Sequence, residues 1–206
     1  RINEYFLSSY SKIESGGIFV GSFIPLENIK NHLRMQMPHF LYSIILPFHF
    51  FFHRVFPKLA ITKQIYFILT RGKNRVISKS EILGRLSFCG YELINEINLG
   101  DQLYFICKKK KTISDEKSPS YGPIVKLKRV GYLGKPVYIY KIRTMYPYSE
   151  FIQGDIYEKY YLDQSGKIKG DYRITSWGKV FRKYFIDEIP QFYNWMKGDL
   201  KLMGVR

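Results

Sequence analysis

Apolar and polar positions change period several times along the chain, and each change predicts an element. In NEYFLSSYSKI, residues 3–13, Tyr5, Phe6, Ser9, Tyr10 and Ile13 follow helical spacing; the glycine pair after it stops the helix before a strand, IFVGSF. SKSE places Ser78 three residues before Glu81, a capping box that opens a helix over 79–88, and Gly90 closes it. YELINEI and QLYFICK flank the turn NLGD, so they pair as an antiparallel hairpin running into lysines 108–111. A second hairpin is expected in IVKLKRVGYLGKPVYIYKIRTM around Gly131 and Gly134. Residues 147–172 are polar, tyrosine-rich and turn-rich, as in a surface excursion. Pro190 fits only a first helical turn, so the helix through PQFYNWMK begins at or just before Asp187 and ends at Gly198. Ile189, Phe192, Tyr193 and Met196 fall on one face and are expected to anchor it.

The greasiest stretch, HFLYSIILPFHFFFHRVFP (residues 39–57), is interrupted by Pro47, His49 and His53 and falls short of the roughly 20 apolar residues that a membrane span needs. Two readings stand: a buried core helix, or a segment that dips into one leaflet. Residues 112–123, TISDEKSPSYGP, have linker composition. The expected organisation is an accessory domain over 1–111, a linker over 112–123 and a second domain over 124–206. The fold class is α/β in the α+β sense, with a hairpin-plus-helices second domain.

Charge narrows the class. The chain has 33 Lys and Arg against 17 Asp and Glu, a net +16, which favours phosphate-rich partners: nucleic acid, anionic lipid or nucleotide. Cys89 and Cys107 lack metal-ligand spacing and suit buried free thiols, so no disulfide is expected. His49 and His53 have one-turn spacing for zinc but neither a zincin glutamate nor an obvious third ligand. The chain begins at Arg1 without a signal-peptide pattern and is expected to be a fragment.

Candidate chemistry lies in FIDEIPQF, residues 185–192, where Asp187 and Glu188 stand between large apolar groups in basic surroundings. Buried acids are costly unless paired, hydrogen-bonded or metal-bound. Two acids near a helix start also simply complement the dipole. Strand alternation puts Lys141 and Arg143 on one face, roughly 7 Å apart, suited to two oxygens of a diphosphate. A solvated basic strand face has the same pattern.

FRKYFIDEIPQFYNWMKGDLKLMGVR, with SPSYGPIVKLKRVGYLGKPVYIYKIRTM and DYRITSWGKVFRK upstream in the same order, resembles the bacterial sugar transferases, the monotopic polyprenyl-phosphate phosphoglycosyl transferases. The resemblance covers about residues 118–206. It implies transfer of a sugar-1-phosphate from a nucleotide diphosphate sugar to a polyprenyl phosphate lipid through a covalent phosphosugar-aspartate. It makes Asp187 the nucleophile, Glu188 the adjacent acid handling a proton, and both acids contacts for Mg2+. Lys141, Arg143, Arg182 and Arg206 become phosphate clamps. The implied setting is the cytoplasmic face of the bacterial inner membrane, with the membrane surface as partner and no nucleic acid. Phe185 stands where the family usually has serine, so Asp187 is expected to cap its own helix. SKIESGGIFVGSF and SKSEILGRLSFCGYELI resemble the C-terminal half of a class I methyltransferase-like domain; without a glycine-rich cofactor loop, no methyl transfer is carried over. A nucleic-acid-binding module, with tyrosines stacking and lysines on phosphates, and an inactive transferase-like scaffold remain the alternatives.

Overall fold

The computed structural model describes residues 2–58, 62–71, 76–110, 113, 122–159, 168 and 170–201. The chain divides into two compact units, Arg1–Asp115 and Glu116–Arg206. Helices and small antiparallel sheets together make the mixed α/β class expected from the sequence.

The first unit is built on a three-stranded antiparallel sheet in the order β1–β3–β2: β1 is Ile18–Phe23, β2 Tyr91–Leu99 and β3 Gln102–Lys109. The β2–β3 hairpin forms where NLGD predicts it, with Leu99 opposite Gln102 and Gly100 at φ 58°, the left-handed geometry a two-residue turn requires. Helix α1, Ile2–Lys12, ends ahead of β1 as the glycine pair demands. Its Phe6 meets Phe19, which stacks on Tyr91 at 5.0 Å, and these rings form the centre of the core. Cys89 and Cys107 are buried free thiols, which burial pushes up to about 11 and about 12 respectively.

Helix α2 spans Leu26–Gln36 and α3 His39–Phe50; a π turn over Phe51–Val55 and a 3-10 turn over Phe56–Lys58 continue α3. Helix α4 is Thr62–Thr70 and α5 Lys79–Phe88. No residue of α3 is buried, which contradicts the core-helix reading of residues 39–57. Among the described residues no helix is long and apolar enough to cross a membrane. The α5 N-terminus has half of the predicted capping box: Ser78 Oγ accepts from the Glu81 N–H at 3.2 Å. The other half is replaced, because the Glu81 carboxylate is buried between Arg54 (2.8 Å) and Arg85 (2.9 Å). A buried acid needs both charge and hydrogen-bond compensation, and the two guanidinium groups supply it.

The second unit is organised by the antiparallel hairpin β4, Ile124–Val130, and β5, Pro136–Ile142, in which Val125 faces Lys141. Its turn carries Leu133 and Gly134 at positive φ. Helix α6 is Gln153–Lys159, α7 Ser176–Lys183 and α8 Gln191–Met196. The expected surface excursion over 147–172 is corrected by its described part: Tyr148, Ser149, Ile152 and Ile156 are buried and supply much of the unit's core. Tyrosine there is packing rather than polarity, which composition alone does not separate.

Candidate functional site

The chain after β5 is fastened to the start of α7 at Thr144, beside a short bridge in which the Tyr146 N–H donates to Arg173 O at 2.8 Å. Thr144 O accepts from both the Thr175 N–H (2.9 Å) and the Thr175 hydroxyl (3.0 Å). Thr175 in turn caps α7, its Oγ1 accepting from the Gly178 N–H at 2.9 Å. Gly178 is required by this closure: a Cβ there would lie 2.2 Å from Thr144 O. On the same helix, Arg182 Nε donates to Thr144 Oγ1 at 2.9 Å, which orients its guanidinium. Among the described residues its other N–H groups make no hydrogen bond.

After α7 the chain reverses through Phe185, which takes a left-handed conformation at φ 57°, and enters a 3-10 turn over Ile186–Glu188. The acids therefore occupy a tight turn between two helices. They do not open one continuous helix, as the proline rule suggests; Pro190 is the N-cap of α8 and the regular helix starts at Gln191. Nor does Asp187 cap: neither the 3-10 turn nor α8 has a side-chain cap hydrogen bond.

The two carboxylates have different surroundings. Glu188 Oε1 accepts from Lys141 Nζ at 2.6 Å, joining the turn to β5. Asp187 is only 8% exposed, and among the described residues its carboxylate makes no hydrogen bond or ion pair. The pair thus consists of one acid held by a cation and one with its oxygens uncommitted.

A residue that pattern reading passes over holds this arrangement together. Asn194, 0% exposed, accepts from the Tyr140 N–H at 3.0 Å and donates to Tyr138 O at 2.6 Å and to Asp199 Oδ2 at 3.1 Å. Its amide completes the free edge of β5 as a neighbouring strand would. The predicted anchoring face of α8 does not anchor it: Ile189, Phe192, Tyr193 and Met196 are each more than half exposed. Periodicity identified a real stripe, but the buried amide of Asn194 is what fixes the helix. With Phe185, Trp195 and Lys201, part of that stripe lines an open groove of ≈ 510 Å³ beside Glu188.

Of the predicted clamps, Lys141 meets the acid pair and Arg182 is aimed through Thr144. Arg143, just past β5, turns inward: it is buried, its Nε donates to Gly122 O at 2.9 Å, and burial lowers its pKa against the opposing pull of Glu150. Arg206 lies outside the described residues. In the first unit His49 and His53 have ring centroids 4.6 Å apart, but among the described residues no three metal-ligating side chains come together.

Comparison with known proteins points to the same segment. The family described as Bacterial sugar transferase matches residues 113–206. The chain is similar to the galactosyl transferase CpsE of Streptococcus agalactiae, 43% identical over 89 residues, 41% of this chain and 19% of the relative. It is also similar to the UDP-N-acetylgalactosamine-undecaprenyl-phosphate N-acetylgalactosaminephosphotransferase of Aeromonas hydrophila, 41% identical over 91 residues, 44% of this chain and 19% of the relative. A putative undecaprenyl-phosphate N-acetylgalactosaminyl 1-phosphate transferase of Bacillus subtilis is 37% identical over 89 residues, 41% of this chain and 42% of the relative. The matched part thus spans about a fifth of the first two relatives and under half of the third. The match to the bacterial sugar transferase family falls on residues 113–206, the part of the chain that holds the acid pair, its lysine partner and the Asn194 clamp.

Proposed function

We propose that this chain carries the catalytic centre of a phosphoglycosyl transferase, which moves a sugar-1-phosphate from a nucleotide diphosphate sugar to a polyprenyl phosphate. The observation that carries the reading is the asymmetry of the acid pair. The oxygens of Asp187 are uncommitted among the described residues, as a nucleophile's must be, while Glu188 is already occupied by Lys141. The names of the relatives, undecaprenyl-phosphate sugar phosphotransferases among them, support the reaction class.

In this mechanism an Asp187 carboxylate oxygen attacks the phosphorus that bears the sugar. A new O–P bond forms, the P–O bond to the nucleoside phosphate breaks, and nucleoside monophosphate leaves with the electron pair. An oxygen of the polyprenyl phosphate then attacks the same phosphorus, restoring the aspartate and giving a polyprenyl diphosphate sugar. Covalent catalysis of this kind divides one difficult displacement into two easier ones. Lys141, shared between Glu188 and the donor diphosphate, and Arg182, oriented by Thr144, offset charge on the phosphoryl oxygens. Arg143 holds the loop before β4 through Gly122, and Arg206 is carried as a further phosphate contact by family resemblance. The open apolar groove beside Glu188 suits the first isoprene units of the acceptor.

Two adjacent carboxylates with one uncommitted fit Mg2+, which is usually held by one or two acids together with substrate phosphates. Asp187 and Glu188 would hold it, and it would supply charge neutralisation on the diphosphate. The acceptor is a membrane lipid, so the site works at a membrane surface, the cytoplasmic face of the bacterial inner membrane. The test is incubation of the full protein in membranes with Mg2+, a panel of nucleotide sugars and undecaprenyl phosphate. Release of nucleoside monophosphate supports the reading; release of nucleoside diphosphate, the product of glycosyl transfer, or none at all counts against it.

A further inference from the structure

In the first unit, the most apolar segment of the chain is turned with its polar side chains inward. Arg54 is buried against Glu81 and also donates to Val76 O at 3.0 Å; His53 Nδ1 meets the Tyr66 hydroxyl at 3.3 Å, with His49 beside it. The outward side is apolar. Phe40 and Phe48 are each 72% exposed, and Leu41, Ile44 and Phe51 are exposed between and after them at helical spacing, one continuous stripe. Helix α4, which packs on the 3-10 turn that follows, adds Ile65, Leu69 and the 78% exposed Ile68. Exposed apolar area forfeits about 25 cal/mol per Å², so an aromatic stripe facing out over polar groups facing in needs a partner.

Charge says which partner. From Asn28 to Ser80 the sequence contains nine Lys or Arg and no Asp or Glu. Arg54 and Lys79 are neutralised by Glu81 and Glu96, whereas Arg34 and Arg71 stand exposed. A second copy of the chain would bring Arg34 and Arg71 of one segment, which carries no acid of its own, towards those of an identical one, which like-charge repulsion opposes. A spanning orientation fails on character: among the described residues no helix is long and apolar enough to cross a membrane, and the turn that continues α3 carries Arg54, held in the protein by Glu81 and Val76 O. We infer that the outward face of α3 and α4 docks along the surface of a bilayer containing anionic lipid, with Phe40, Phe48 and Ile68 entering the acyl boundary and Arg34 and Arg71 at headgroup level. This is the pattern of an interfacial amphipathic segment. It concerns residues outside the transferase segment and is independent of the chemistry proposed there.

The test is sedimentation of the full chain with vesicles of phosphatidylcholine alone or mixed with phosphatidylglycerol, without undecaprenyl phosphate or nucleotide sugar. The wild type is expected to sediment with the phosphatidylglycerol vesicles, less with phosphatidylcholine, and less as salt is added. A Phe40→Ser, Phe48→Ser, Ile68→Ser variant should keep its circular dichroism and melting profile and lose binding by at least about 10-fold. Should that variant fail to fold, Phe48→Cys labelled with an environment-sensitive dye replaces it, because the native thiols are buried; its emission should shift to the blue on phosphatidylglycerol vesicles. Absence of wild-type binding, binding equal in the folded triple variant, an unshifted dye, or loss of self-association instead of vesicle binding would each overturn the inference.

Discussion

Lys141 Nζ lies 2.6 Å from Glu188 Oε1, so a strand of the β4–β5 hairpin and the turn carrying the acid pair are joined by charge. Both side chains are substantially exposed, and such a pair contributes about 0–1 kcal/mol to stability. Glu188→Gln and Lys141→Ala should therefore unfold within about 1 kcal/mol of wild type in urea. Nucleotide-sugar turnover should nevertheless fall by about 10-fold or more: in the proposed mechanism Lys141→Ala removes a cation from the diphosphate, and Glu188→Gln removes the carboxylate that holds Lys141 and would hold Mg2+. Arg143→Ala should behave in the opposite sense: its guanidinium is buried on Gly122 O, so stability falls together with activity. Parallel unfolding and steady-state measurements on the three variants separate the two roles.

Asn194 makes three hydrogen bonds from a fully buried amide, two of them to the β5 backbone. Asn194→Ala leaves the Tyr140 N–H and Tyr138 O on the free edge of β5 without their partner, at up to about 1–3 kcal/mol for each group that water does not reach. The urea midpoint should drop accordingly. Asn194→Asp should be destabilising too, since it replaces the donor to Tyr138 O with an acceptor. An Asn194→Ala protein as stable as wild type would show that α8 is fixed by something else.

Gly178→Ala is expected to be among the most damaging single-methyl changes in the second unit. The added Cβ meets backbone rather than a flexible side chain, at 2.2 Å from Thr144 O, so α7 must shift and the Thr175 cap and the Arg182 contact shift with it. Overpacking of this kind costs about 1–3 kcal/mol, and loss of the cap about 1 kcal/mol more. Thermal unfolding of Gly178→Ala beside Thr175→Ala checks the ordering: the glycine variant should melt lower.

These contacts explain what the sequence did and did not disclose. The β2–β3 hairpin, the Ser78 cap and the glycine stops were legible because each depends on residues within a few positions of one another. Asn194 reaching back to Tyr138 and Tyr140, Thr144 closing on Thr175, and Glu81 choosing Arg54 over its own helix N-terminus are contacts across tens of residues. No local period encodes them. The stripes on α3 and α8 were legible as stripes, but periodicity reports that a helix has an apolar side and not whether the fold covers it. Asp187 and Glu188 were identifiable as a pair from their apolar flanks and basic surroundings. Their inequality appears only once Lys141 is seen to choose one of them.

Acidification should loosen the first unit through its histidine pair. Burial holds His49 and His53 below the usual 6.5, and His49 lowers His53 further. The unfolded chain then binds protons at higher pH than the folded one, so the neutral pair's contribution is complete above 6.5 and is lost as pH falls from there through the folded values. Urea midpoints should decrease between about pH 7.5 and about pH 5.5, and a His49→Phe, His53→Phe variant should show a flatter dependence. An equally steep profile in the double variant would place the titration elsewhere.

In the proposed reaction Asp187 is a nucleophile and not an acid placed for the helix dipole. Asp187→Asn keeps shape and buried volume and removes only the charge, so a dipole role predicts near-normal turnover and a stability change of about 0.3–1 kcal/mol. The most direct measurement is mass spectrometry of the wild-type protein incubated with nucleotide sugar and Mg2+ while the lipid acceptor is withheld, with folded Asp187→Asn alongside. A nucleophilic Asp187 gives a phosphosugar adduct on Asp187 of the wild type that disappears when polyprenyl phosphate is added, and neither adduct nor turnover in Asp187→Asn. Turnover in folded Asp187→Asn within a few-fold of wild type would contradict it.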